Sequence, residues 1–233
     1  MRNIWAYVVG GVVTIGAVVT LYSAIEGKSP TAKTRTPAPA AVNQTASVAA
    51  PTPDASYDMV EVTKDDYVIG KSDAPVTLIE YASLTCQHCA AFHNNVLPTI
   101  KKEYIDTSKV RMVYRDFPLD QMALTGSMLA RCAGRDRYRP FIDLLFEQQS
   151  NWARSNNPLA ALSKLARLGG MSQADFEACL KKKEIADAVL KQRLEGQQKF
   201  AISSTPTVVV NGKKFGGGLT IEQFRAVVDP MLK

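Results

Sequence analysis

Only four cysteines, two histidines and two tryptophans occur in this chain of 233 residues. Four cysteines are too few to hold together a disulfide-built scaffold of this length. Glycine and proline are also sparse, at 14 and 12 residues, which excludes a collagen-like chain and one disordered throughout. There is no compact Lys/Arg block. The 28 basic and 22 acidic side chains leave a net charge of +6, so nothing marks a nucleic-acid-binding tail and no nucleic-acid partner is expected. No internal repeat is apparent. With 46% hydrophobic and 21% charged residues, the chain is not a multi-span membrane protein either.

One long apolar run is present. Ile4 to Ile25 holds 22 residues without a charge, which as a helix would span about 33 Å, the hydrocarbon thickness of a bilayer. The run is longer than the apolar core of a secretory signal, roughly 7–15 residues. The clearest A-x-A, Ala38 to Ala40, lies well beyond its end. Residues 1–26 therefore read as an uncleaved signal-anchor, a transmembrane segment, in preference to a cleaved signal peptide. Arg2 stands on one side of it and Lys28, Lys33 and Arg35 on the other, so the positive-inside rule does not favour an outward-facing C-terminal part. Orientation is taken instead from the chemistry below.

Residues 27–56 contain 8 Ala, 5 Pro, 5 Thr and 3 Ser. Such a stretch has too little apolar bulk to offset the entropy of ordering it, and reads as a disordered, extended tether. It has no heptad pattern, so a monomer is expected. Residues 57–233 are of a size for one domain. Val76 to Tyr81 reads as a buried strand, and Cys86 to about Ile105 as a helix with Phe92, Val96, Ile100 and Tyr104 on one face and a kink at Pro98. Val110 to Tyr114 is a second strand. A helical stretch from about 120 to 200 follows, broken at Asn156-Asn157-Pro158 and Gly169-Gly170. Thr207 to Val210 and Lys213 to Phe215, joined by Asn211-Gly212, form a hairpin. Thr220 opens a terminal helix.

Cys86-Gln87-His88-Cys89 lies between a strand end and a helix start. The two-residue spacer lets the sulfurs meet across one helical turn. The helix N-terminus favours a thiolate on Cys86, and His88 adds a donor or positive charge. A stabilised thiolate favours the reduced pair, so the disulfide form becomes the stronger oxidant. The same spacing serves metal sites, and Cys86, Cys89 and His93 could supply three zinc ligands, although no second C-x-x-C or H-x-x-x-H completes the set. A pair of inert buried thiols is the remaining reading. The strand-to-helix position weighs against it.

The stretch from Gly70 to Cys89, with Ala74-Pro75-Val76, Glu80-Tyr81, Ser83 and Cys86-Gln87-His88-Cys89, resembles the DsbA-type branch of the thioredoxin superfamily. Ser204-Thr205-Pro206-Thr207 is similar to that superfamily's cis-proline loop. The resemblance covers about residues 60–233 and implies an α/β thioredoxin fold, a central mixed sheet flanked by helices, with an inserted all-helical subdomain at about 120–200. It implies that Cys86 is the exposed nucleophile, Cys89 the buried resolving thiol, and His88 a stabiliser of the Cys86 thiolate. Pro206 would be cis against the disulfide, and Thr205 would offer its backbone to an extended substrate peptide. Glu80 falls where the family places a buried acid that assists proton transfer to the resolving thiol. The best-studied oxidases of the family have Pro in place of Gln87 and Val in place of Thr205, and Thr before the cis-proline is also found in disulfide isomerases of the superfamily.

The resemblance further implies a thiol-disulfide oxidoreductase acting on reduced, unfolded client proteins in the bacterial periplasm. A DsbB-type membrane protein would reoxidise it, and the N-terminal segment would hold it at the inner membrane. No cofactor and no metal are expected. A reductase or isomerase of the same fold is the alternative within the class, and a metal-binding module the alternative outside it. In an oxidising compartment Cys132 and Cys179 are expected to form a structural disulfide. His93, a residue type at such a position more often on the helix surface than a ligand, is left unassigned. Arg131, Arg135, Arg137 and Arg139 read as solvated helix ends, with a docking patch for a partner or for lipid head groups as the alternative, and Trp152 as core.

Overall fold

The computed structural model of the chain describes residues 49–57 and 61–233. The apolar run at 4–25 and most of the 27–56 stretch lie outside the described residues. Among the described residues, no helix is long and apolar enough to cross a membrane.

The centre of the domain is β3 (Val76–Ala82), buried at every one of its seven positions. A run of Val, Leu, Ile and Tyr buried on both faces is what a central strand requires. It pairs in parallel with β4 (Val110–Asp116) and antiparallel with β5 (Thr207–Val210). β6 (Lys213–Gly216) folds back on β5 through Asn211 and Gly212, whose φ angles of 43° and 82° are the left-handed pair that a two-residue hairpin turn demands. Two short strands close the edges, β2 (Tyr67–Ile69) on β4 and β1 (Ala55–Ser56) on β6, giving the order β1-β6-β5-β3-β4-β2. Neither short strand is expected from the sequence pattern. Ala55 and Ser56, counted above within the tether, pair with Lys214 and Lys213. Asp54 Oδ2 accepts from the Gly216 N–H at 2.8 Å next to them.

The two faces of β3 are covered separately, as period-two alternation requires. Val76 and Leu78 pack with Phe92, Ile100 and Tyr104 of the first helical stretch and with Phe224 and Val228 of the last. Ile79 and Tyr81 pack with Phe117, Phe200 and Ile202. Glu80 thus points to the first side, beneath the helix that carries the cysteines.

That helix runs from α1 (Gln87–Ala91) through α2 (Leu97–Ile100) to Ile105, with wider, i to i+5 turns at Phe92–Val96 and Lys101–Ile105. The first wide turn ends two residues before Pro98, whose ring has no N–H to give and would crowd the carbonyl four residues back. Between β4 and β5 lie α3 (Gln121–Cys132), α4 (Arg135–Glu147), α5 (Gln149–Trp152), α6 (Pro158–Leu168), α7 (Gln173–Leu180) and α8 (Lys183–Phe200). Their shared core includes Leu129, Phe141, Leu145, Phe146 and Trp152. α9 (Ile221–Val228) begins at Thr220 with a full capping box made with Gln223. The architecture is the thioredoxin fold, a mixed sheet flanked by helices, carrying a helical subdomain.

In the basic cluster Arg135 and Arg137 are exposed at the start of α4, as helix-end residues are, while Arg131 is drawn inward. Arg131 donates to Asp116 Oδ2 at 2.7 Å, and Asp116 is fully buried at the end of β4. Arg135 donates to the carbonyls of Lys64 and Asp66, and Arg137 to those of Ala133 and Gly170. Arg139 is paired with Asp143 one helical turn on. The buried acid at the sheet end recruits the nearest guanidinium because an uncompensated carboxylate there would be strongly destabilising.

Candidate active site

Cys86 is the residue preceding α1, with an extended backbone (φ −77°, ψ 120°) and no side-chain cap on the helix. A sulfur therefore stands where a capping oxygen would, facing free N–H groups of the first turn. The turn leading to it is closed by the Cys86 N–H donating to Ser83 O at 3.0 Å.

Two contacts from the helical insert fix this junction. The Thr85 hydroxyl donates to Asp120 Oδ2 at 2.6 Å, while Asp120 Oδ1 caps α3 through the Ala123 N–H. Gln149 is buried, and its amide nitrogen donates to Leu84 O at 2.8 Å and to Cys86 O at 2.9 Å. Neither contact is signalled in the sequence, since the partners stand 35 and more than 60 positions apart.

Across the sheet end, the loop before β5 brings up Thr205 and Pro206, joined by a cis peptide bond. The Cys86 thiol donates to Thr205 O at 3.2 Å. The glycines after β6 form the floor of this loop. Gly217 N–H donates to Pro206 O, and Gly218, at φ +75°, lies so close that a Cβ there would stand 3.0 Å from Pro206 Cγ.

The two sulfurs differ sharply in environment. Cys86 is partly exposed and Cys89 fully buried, and both are free thiols here. Cys86 is pulled down to about 5, first by a hydrogen bond from Cys89, then against burial by the Thr205 side chain and the backbone N–H groups of Cys89 and His88. The Thr205 hydroxyl has no partner while Cys86 is a thiol. A thiolate can only accept, so that hydroxyl is a donor ready for it. Burial pushes Cys89 far up, and the neighbouring Cys86 and Glu80 add to the shift. His88 reaches the thiolate through its backbone N–H, and its imidazole is exposed.

Glu80 is fully buried, and its Oε2 lies 2.7 Å from Nε2 of His93. His93, left unassigned from the sequence, is buried between β3, β4 and α4. Among the described residues, no His/Cys/Asp/Glu group of metal-holding form occurs. Cys132 and Cys179 are joined by a disulfide between α3 and α7, and Trp152 is fully buried with its indole N–H donating to Leu145 O.

The thioredoxin family model matches residues 62–230. A candidate protein-disulfide oxidoreductase of Rickettsia bellii is 32% identical over 153 residues, 65% of this chain and 59% of that protein. The disulfide bond formation protein D of Bacillus subtilis is 28% identical over 178 residues, covering 73% and 78% of the two chains. The crystal structure of Wolbachia pipientis alpha-DsbA1 superposes with a TM-score of 0.69 at 33% identity, over 73% of this chain and 92% of that one. The chain spans less than two thirds of the length of the Rickettsia relatives, 59% for R. bellii and 62% for R. felis.

Proposed function

This chain belongs to the DsbA-like branch of the thioredoxin family, and we propose that it is a protein dithiol oxidase, handing the Cys86–Cys89 disulfide to reduced, unfolded proteins. The observation that carries the reading is the contrast between the two thiols. A Cys86 pulled down to about 5 beside a Cys89 pushed far up means that the reduced pair rests as one thiolate and one thiol. A stable reduced form makes the disulfide a strong oxidant, and a low-pKa sulfur is a good leaving group from the mixed disulfide.

A client thiolate attacks Cys86 Sγ, the accessible sulfur, and Cys89 leaves as the resolving thiol. A second client thiol then displaces Cys86 as thiolate and closes the client's disulfide. Thr205 offers its backbone to the client strand beside Pro206, and Leu119, half exposed where the loop after β4 meets Ser83, supplies apolar contact to an unfolded chain.

Turnover calls for an external oxidant, and a DsbB-type membrane protein suits this site. The bacterial periplasm is the compartment in which such a disulfide persists. The apolar run at 4–25 would hold the protein at the inner membrane, with the segment after it as a tether. Equilibration of Cys86–Cys89 with glutathione tests the assignment. A potential near about −120 mV, as in DsbA, supports the oxidase, and one near about −270 mV, as in thioredoxin, makes it a reductase.

A further inference from the structure

A cavity of about 210 Å³ lies at the β2 edge of the sheet, where β4 separates it from β3. No step of disulfide exchange uses it. Its floor is made by Met112, Tyr114 and Tyr138, all buried, with Ile69 of β2 beside them. The exposed Arg135 and Asp136 and the half-buried Arg139, from the first turns of α4, stand at its rim. α4 begins there with Gly134 as its N-cap, a residue without a side chain to accept from the first-turn N–H groups.

The polar groups left open around this cavity are chiefly donors. Tyr114 is 2% exposed, and burial holds its phenol well above the ordinary range, so it stays protonated. Its hydroxyl has no hydrogen-bond partner among the described residues, whereas that of Tyr138 donates to Asp116 Oδ2 at 3.4 Å. A buried hydroxyl without an acceptor is destabilising, and an acceptor that reaches it removes the penalty. At the rim, Arg139 is paired with Asp143 at 2.7 Å. Arg135 donates to the carbonyls of Lys64 and Asp66, and no ion pair engages it among the described residues. Asp136 adds a carboxylate to the rim, set against the positive end of α4.

We propose that this cavity binds a small aromatic carboxylate bearing an oxygen on the ring position opposite its acid group. The ring lies among Ile69, Met112 and Tyr138, where aromatic and thioether walls favour a flat apolar body. Its oxygen accepts from the Tyr114 hydroxyl at the floor. The carboxylate stays at the wet rim, against Arg135 and the first turn of α4, because burying it would cost far more than pairing returns. A volume below the roughly 300 Å³ of drug-sized sites limits the ligand to a single ring. The site is separate from Cys86 and Pro206, and its occupancy does not rest on the oxidase reading.

Calorimetric titration of the full chain at neutral pH tests this, with 4-hydroxyphenylacetate and with phenylacetate, which lacks the ring oxygen. The hydroxy acid is expected to bind with a Kd of about 1 mM or below, as suits a ligand of one ring. Phenylacetate is expected to bind about fivefold more weakly, the worth of one hydrogen bond. Tyr114→Phe keeps the ring and should bring the two acids to the same affinity. Arg135→Gln should weaken both by up to about fivefold and keep their ratio. Absence of saturable binding in the millimolar range overturns the proposal. Equal affinities in the parent protein overturn it too, since solvent would then satisfy Tyr114. A preference for the hydroxy acid that survives Tyr114→Phe overturns it by placing the ligand elsewhere. Should Tyr114→Phe fail to fold, Arg135→Gln decides alone, and a variant that binds both acids as the parent does refutes the site.

Discussion

The side-chain amide of Gln149, on the short helix α5, donates at 2.9 Å to the carbonyl of Cys86, 63 residues earlier in the chain, and at 2.8 Å to that of Leu84. The helical insert therefore holds the backbone of the nucleophile directly. Cys86 O also accepts the Ala90 N–H that opens the helix, so the same carbonyl links the insert, the catalytic turn and α1.

Replacing Gln149 by Leu removes both donors and leaves the Leu84 carbonyl buried without a partner. A loss of about 1–3 kcal/mol is expected, seen as a fall of several degrees in the thermal midpoint, since about 1 kcal/mol moves a domain of this size by roughly 2–4 °C. An unchanged midpoint would show that the contact bears no load.

Thr205→Val keeps the shape of the side chain and removes the hydroxyl available to the Cys86 thiolate. The thiol is expected to rise above its value of about 5, followed by the ultraviolet absorbance of the thiolate against pH. A hydrogen bond to a charged group is worth about 1.5–3 kcal/mol, so the equilibrium constant against glutathione should fall by the order of tenfold. A variant as oxidising as the parent would remove the hydroxyl from the account of the site.

The reduced and disulfide forms should respond differently to pH. Cys86 titrates near 5 in the folded dithiol protein and near about 8.5 when unfolded. Its folded value is depressed, so the stability it confers is complete above the unfolded value, declines below it, and is gone once pH falls through 5. The disulfide form has no such group. Thermal unfolding of the two forms between pH 5 and 8 should show the reduced protein gaining on the oxidised one as pH rises. A gap independent of pH would contradict the low value for Cys86.

The Cys132–Cys179 disulfide closes a loop across a sequence separation of 47. By the loop-entropy relation its removal costs about 4 kcal/mol. Cys132→Ala with Cys179→Ala should lower the urea midpoint accordingly, with the slope rising only if the unfolded chain expands. A midpoint within error of the parent would mean that packing of the insert alone fixes α3 against α7.

Several features were legible along the chain because their causes are local. The buried strand at 76–81, the hairpin at Asn211-Gly212, the Thr220 cap and the redox spacing Cys86-Gln87-His88-Cys89 each depend on neighbours within a few residues. The edge strands β1 and β2 were not legible, since strands of two and three residues exist only by virtue of the partner they pair with. His93 could not be assigned for a related reason. A histidine on a helix looks like a surface residue until a carboxylate 13 positions earlier, on another element, is found against it.

The sequence by itself determined that this chain carries a thiol pair at a strand-to-helix junction, where backbone N–H groups favour one thiolate. Only the tertiary structure decided what else touches that pair: the carbonyl and hydroxyl of Thr205 on Cys86, Gln149 on its backbone, and the Glu80–His93 pair in the burial beneath Cys89. The physical reason is one of range. Helix ends and turns are set by adjacent residues, whereas the burial and hydrogen bonds that separate the two thiols come from elements that meet only when the chain folds.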